Sequence, residues 1–352
     1  MLTMKLKDMK KIGCFLLVLV FISCGKTSQI SEEQKEHERY DATISEKLAV
    51  FQVLNSPDTV SRLDDPMVNL GYHLYHDTRL SLEGKNSCNS CHNLNTFGVD
   101  NQPTSTGDKG KNGERNSPTT LNAAFHAFQF WDGRAKDVEE QAGMPILNPI
   151  EMNIPSKQFL VDRLKKVPLY QDLFKKAFPD AKEPISYENL QKAIGAFERK
   201  LITPSRFDQY LKGDKNALTL QEKKGLVAFT TNGCTQCHTG ALLGGNQYQK
   251  FGVYANYWEH TGSKKIDEGR YLVTKDTNDK YIFKVPSLRN VEKTGPYFHD
   301  GSVASLDSAV KIMGRVQLGK PIDDEDTQNI VAFLKSLTSD IPKEYKQPPV
   351  FN

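Results

Sequence analysis

Apolar residues recur at helical spacing along most of this chain. Leu160 to Phe178, Leu190 to Leu201, Leu218 to Phe229 and Thr327 to Leu337 each set apolar side chains three and four positions apart. Met67 to Tyr75 and Leu220 to Phe229 have the same helix-like character, and Gly and Pro punctuate the intervening segments. No alternating run is long enough to build a large sheet, so the pattern predicts a mainly α fold. One apolar run differs. Ile12 to Ile22 is almost unbroken and follows Lys5, Lys7, Lys10 and Lys11. Its length suits the core of a signal peptide and is short for a membrane span.

That leader ends Phe21-Ile22-Ser23-Cys24-Gly25-Lys26. A small residue followed by Cys resembles a bacterial lipobox, with Phe21 where Leu is usual. Residues 1–23 are expected to be a lipoprotein signal peptide, with Cys24 the lipidated first residue of the mature chain. Ordinary cleavage to a soluble periplasmic protein is the alternative. Each buried CH₂ of an acyl chain adds roughly 0.8 kcal/mol, so several chains anchor firmly. Thr27 to Arg39 is polar, charged and free of aromatics, and residues 24–45 read as a polar tether.

The 352 residues carry a net charge of +3, and the leader accounts for that excess. The near-neutral remainder gives no sign of a nucleic-acid-binding surface. Its length suits two domains.

Of six cysteines, Cys14 and Cys24 belong to the leader region. The other four form Cys88-Asn89-Ser90-Cys91-His92 and Cys234-Thr235-Gln236-Cys237-His238. Cys-x-x-Cys-His is the attachment signature of haem c, with the thiols bonding the haem vinyl groups and His92 or His238 as proximal iron ligand. A redox dithiol would not need the His. A zinc site would want four ligands at closer spacing than these two motifs allow. Export past the cytoplasm agrees with covalent haem in a bacterial protein.

The surroundings of the motifs repeat. After the first come Pro118-Thr119-Thr120-Leu121-Asn122 and Phe130-Trp131-Asp132-Gly133. After the second come Pro286-Ser287-Leu288-Arg289-Asn290 and Phe298-His299-Asp300-Gly301. The expected architecture is therefore two cytochrome c-like haem domains arising from an internal duplication, at 46–203 and 204–345. Pro204 and Gly213-Asp214-Lys215-Asn216 mark the approximate boundary.

From about Ser56 to Leu337 the chain resembles the bacterial dihaem cytochrome c peroxidases, which are related to the methylamine-utilisation dihaem enzymes. The resemblance rests on Arg115-Asn116-Ser117-Pro118-Thr119, Gln129-Phe130-Trp131-Asp132-Gly133-Arg134-Ala135, Glu151-Met152-Asn153, the Pro286–Asn290 segment, Pro296-Tyr297-Phe298-His299 and Ala309-Val310-Lys311-Ile312-Met313-Gly314. It implies reduction of hydrogen peroxide to water with electrons from a small cytochrome c or similar donor. Electrons would enter at the C-terminal haem, and peroxide would react at the N-terminal haem. Axial ligands decide this division, because a His/Met pair raises the potential and closes the iron, whereas a lone His leaves it open.

Residue by residue, the resemblance makes Met313 the second axial ligand of the C-terminal haem. It makes Glu151 and Gln141 the acid–base and positioning groups of the peroxidatic site, and Trp131 the electron bridge. His299 would contact haem propionates. A calcium ion would bind the side-chain oxygen of Asn116 and the carbonyls of Thr294 and Pro296, all hard donors. A homodimer and a periplasm-facing, lipid-anchored location are also implied. Where many relatives carry a removable distal His, in the loop from Gly98 to Arg115, this chain has Asp108. His126, beside the Trp131 motif, is a conceivable substitute. The rival readings are a dihaem electron carrier without peroxidase activity and a dihaem oxidase of a protein or organic substrate.

Overall fold

The computed structural model describes residues 31–55 and 63–351. The leader, and with it the lipidation expected at Cys24, lies outside the described residues. The expected mainly α architecture is present: ten helices of six residues or more, and a single two-stranded sheet among the described residues. The helices are α1 (Glu32–Ser45), α2 (Pro66–His76), α3 (Val138–Leu147), α4 (Lys157–Lys165), α5 (Pro168–Ala177), α6 (Tyr187–Glu198), α7 (Arg206–Leu211), α8 (Leu220–Asn232), α9 (Leu306–Leu318) and α10 (Asp324–Lys335). The strands β1 (Tyr248–Lys250) and β2 (Ile282–Lys284) pair antiparallel, Tyr248 opposite Lys284.

Each haem motif follows a helix that crosses another at a glycine. A Cβ on Gly71 of α2 would lie 1.9 Å from the Ala193 carbonyl oxygen of α6 and 2.9 Å from Phe197 Cβ. A Cβ on Gly225 of α8 would lie 1.8 Å from the Asn329 carbonyl oxygen of α10 and 2.9 Å from Phe333 Cβ. Only a residue without a side chain lets these backbones meet. The duplication extends beyond the helices. Asn122 and Asn290 are both left-handed, at φ 63° and 59°. Their N–H groups donate to Leu201 and Leu337 carbonyls at 2.7 and 3.2 Å. Phe130 and Phe298 are left-handed too, inside equivalent bridges from Gln129 to Ala135 and from Tyr297 to Val303.

Two elements differ from the sequence reading. The periodic stretch 160–178 is two helices, because Pro168 has no N–H to continue α4 and instead opens α5 at its first turn. The expected polar tether is helical from Glu32 to Ser45. The Ser31 hydroxyl accepts from Gln34 N–H to cap α1, and Ile44 is fully buried. Asp41 supplies the anion for buried Lys223 at 2.9 Å and accepts from Tyr210 Oη at 2.7 Å. A polar composition therefore hides one buried apolar position and one buried ion pair, enough to dock α1 on α8. At the other end, Ile341 and Tyr345 join the apolar cluster of Tyr72, Tyr75 and Phe197. Each half is thus completed by a segment from the far end of the chain.

Candidate haem sites

The first motif forms one helical turn, Cys88–Cys91, and Tyr75 Oη donates to the His92 carbonyl at 2.7 Å. Cys88, Cys91 and His92 line a cavity of about 400 Å³ together with Gln141, Glu151 and Trp131. Gln141 projects from α3, and Glu151 sits in the turn after it. Glu151 Oε1 accepts from Asn148 Nδ2 at 2.8 Å, and its carbonyl accepts from Asp108 N–H at 2.7 Å. Burial raises the Glu151 carboxyl above its ordinary range, against Arg134 and the Asn148 bond. Arg134 is fixed in turn, stacked 3.5 Å above the Phe130 ring and paired with Asp132 at 2.9 Å.

Asp108 does not line this cavity. Its carboxylate accepts from Glu83 and Lys85 N–H groups at 2.6 and 3.1 Å. Burial alone would raise this carboxyl, but those donors hold it below its ordinary range. The loop instead presents Ser105, Thr106 and Gly107, then Gly113, Glu114 and Arg115, to the cavity. His92 and His126 are the histidines that line it.

The second motif begins where α8 ends at Gly233, left-handed at φ 98°. His238 Nδ1 lies 2.8 Å from the Leu243 carbonyl, which fixes the ring and leaves Nε2 for a metal. Burial pushes the imidazoles of His92 and His238 down, toward the neutral form a metal needs. Cys234, Cys237 and His238 line a cavity of about 340 Å³ that also receives Met313 from α9. Ser305 caps α9, accepting from Ser308 N–H. His299 lines the same cavity, buried among Phe283, Tyr257 and Phe251, and its Nε2 has no partner.

Trp131 belongs to both cavities. Its Nε1–H donates to the Asn116 carbonyl at 2.9 Å, and its carbonyl accepts from Lys284 N–H at 2.7 Å. Asn116 spends Nδ2 on the Gln102 carbonyl at 2.9 Å, which leaves Oδ1 for another partner. Thr294 and Pro296 line the second cavity with it. Among the described residues no three His, Cys, Asp or Glu cluster as a metal site, so calcium would rest on amide and carbonyl oxygens.

Sequence reasoning missed three features. Glu198 lines the first cavity at 4% exposure, and burial, with Glu139 adding and Arg199 opposing, pushes its carboxyl to about 8. Its signal was legible: it stands in i+4 register with Leu190 and Ile194 on the buried face of α6. Lys284, on β2, is buried at the wall between the cavities. Arg115 holds Asp267 through two bonds at 2.6 and 2.9 Å and Asp132 through one at 2.6 Å, which ties the halves together beside Trp131. Arg115 opens one of the motifs quoted above, but its bridge to Asp267 and the burial of Lys284 depend on contacts between distant segments and had no local signal.

Each cavity offers two thiols and an imidazole in a largely apolar setting, the donor set of haem c. Residues 65–216 match the family described as di-haem cytochrome c peroxidase, and residues 222–338 match cytochrome c. The chain is 46% identical over 316 residues to cytochrome c551 peroxidase of Pseudomonas aeruginosa, covering 88% of this chain and 90% of that one. It is 46% identical over 283 residues to cytochrome c551 peroxidase of Nitrosomonas europaea, covering 80% and 82%. Among solved structures, a MauG-like protein associated with microbial copper homeostasis aligns with a TM-score of 0.73 at 28% identity, covering 84% of this chain and 97% of that one. The cavities, the motifs in them and these likenesses agree, and the chain belongs to the di-haem cytochrome c peroxidase family.

Proposed function

We propose that this protein reduces hydrogen peroxide to water with electrons from a small cytochrome c or similar donor, taken in at the second cavity and used at the first. The observation that carries the reading is the unequal furnishing of two otherwise similar cavities. The second holds Met313 with His238, whereas the first holds His92 with Glu151 and Gln141. His92 would hold one haem and His238 with Met313 the other, and the two haems would relay the donor's electrons and supply the iron chemistry for cleavage of the O–O bond.

The chain's own residues supply proton handling and positioning. Glu151, raised by burial yet held by Asn148, takes a proton from one peroxide oxygen and returns it to the other. Gln141 orients the peroxide through its amide. Trp131 fills the space between the cavities, so electrons need not cross a gap. His299 donates to a propionate, and calcium at Asn116, Thr294 and Pro296 braces the join between the halves. A lipid anchor at Cys24, a periplasm-facing location and a homodimer complete the proposal. The relatives named cytochrome c551 peroxidase support the peroxidase part of this reading.

Glu151→Gln tests the reading. Both haem spectra should persist while peroxide turnover falls roughly 10²-fold or more. Unchanged turnover would make Glu151 a bystander and sink the assigned chemistry.

A further inference from the structure

Trp131, His126 and Lys284 form a wall shared by the two cavities, since each of the three lines both. Lys284 is the unusual member. It is 4% exposed, and its backbone is fixed by the bond to the Trp131 carbonyl. Its Nζ lies 2.8 Å from His126 Nδ1. Among the described residues no carboxylate comes within ion-pair distance of it. Asp132, whose charge it feels, is already engaged by Arg115 and Arg134. Burial accordingly pushes the Lys284 amine down to about 7, with Asp132 opposing. A buried ammonium without an anion is costly, so the amine alone tends to shed its proton, and an anion brought beside it would hold the charged form.

His126 sharpens the requirement. Burial and Lys284 push its imidazole well below its ordinary range, so the ring is neutral. When Lys284 is protonated, Nδ1 can only accept from the ammonium, and the ring proton then sits on Nε2. That Nε2 is buried without a partner. The wall therefore presents two unmet donors, the spare Lys284 N–H groups and His126 Nε2–H. Each haem brings two propionate carboxylates, anions that accept such bonds.

We propose that Lys284, held by His126, is the counter-ion of a haem propionate at the wall between the two cavities. A fixed positive charge there favours the reduced form of the haem whose propionate it binds, and it sits against Trp131. The inference rests on two covalent haems but not on peroxide reactivity, so potential and geometry can fail it while the peroxidase reading stands.

The test has two arms. In a crystal structure of the dihaem holoenzyme, Lys284 Nζ should lie about 2.7–2.9 Å from a propionate oxygen, and the haem it contacts identifies the source. An Nζ beyond hydrogen-bonding reach of every propionate overturns the proposal. In the second arm, redox titration resolves each haem by its spectrum. Lys284→Met should shift the reduction equilibrium of the contacted haem about tenfold toward the oxidised form, about 59 mV for a one-electron couple. Lys284→Arg should keep most of the native value. Potentials unmoved by Lys284→Met, or moved equally by both variants, would refute a charge role. If Lys284→Met loads fewer than two haems, Lys284→Gln, which keeps a donor without the charge, carries the same comparison, and the holoenzyme geometry decides independently.

Discussion

Glu198 and Asp108 are both buried carboxyls beside the first haem motif, and their surroundings treat them oppositely. Asp108 receives two backbone N–H bonds and is held down; among the described residues no hydrogen bond reaches the Glu198 carboxyl, which is pushed to about 8. The sign of the stability effect follows. Between the ordinary value of 4.5 and about 8, the unfolded chain releases the Glu198 proton while the folded chain keeps it. Stability contributed by the protonated form is thus full below pH 4.5, declines as pH rises across that window, and is lost above pH 8. Glu198→Gln removes the titration. Its stability relative to the parent should rise by on the order of a few kcal/mol from pH 5 to pH 8. Denaturant midpoints of the two holoproteins at both pH values check this. Parallel pH profiles would mean that Glu198 is not buried as a proton carrier.

Among the elements, the glycine crossings make the duplication mechanical. Alanine at position 71 or 225 gains up to about 1 kcal/mol in helix propensity. Its Cβ, however, would overlap a carbonyl oxygen of the facing helix by more than any rotamer change relieves. Separating the helices should cost about 1–3 kcal/mol net. Gly71→Ala and Gly225→Ala are each expected to lower the denaturant midpoint and the haem content of their own half. A stabilised variant would show that the crossing yields easily. The contrast between what was legible and what was not also belongs to this scale. Periodicity located α2, α6, α8 and α10, because their apolar faces repeat and each buries against a neighbour in its own half. It ran α4 and α5 together, since apolar spacing continues across Pro168 although the backbone cannot. It passed over α1, whose docking rests on Ile44, the partly buried Tyr40 and the ion pairs of Asp41 and Glu36 rather than on a repeating apolar face. The family resemblance singled out Glu151, Gln141, Trp131 and Met313, and each lines its cavity, because the stretch around each is a local run of one loop or helix. Lys284 and Arg115 gain their roles only when β2 and the 267 region arrive from the other half.

At the scale of the molecule, the two cavities share one wall, and the loop carrying Arg115 touches both halves. How the first cavity stands at rest therefore bears on the whole electron route. The loop contributes no histidine to it. His126 lines it but lies 2.8 Å from Lys284 through Nδ1. The fully ferric holoprotein should thus show one high-spin haem and react with peroxide without prior reduction. Electronic and EPR spectra before and after peroxide addition check this. Substituting His at Asp108 would not install a blocking ligand, because that side chain points at the N–H groups of Glu83 and Lys85 and its loss would loosen the turn. Thr106 faces the cavity. Thr106→His should move the high-spin haem toward low spin and make turnover depend on pre-reduction. Two low-spin haems in the resting parent, with His126→Ala then releasing a high-spin signal, would instead show that His126 leaves Lys284 to close the site.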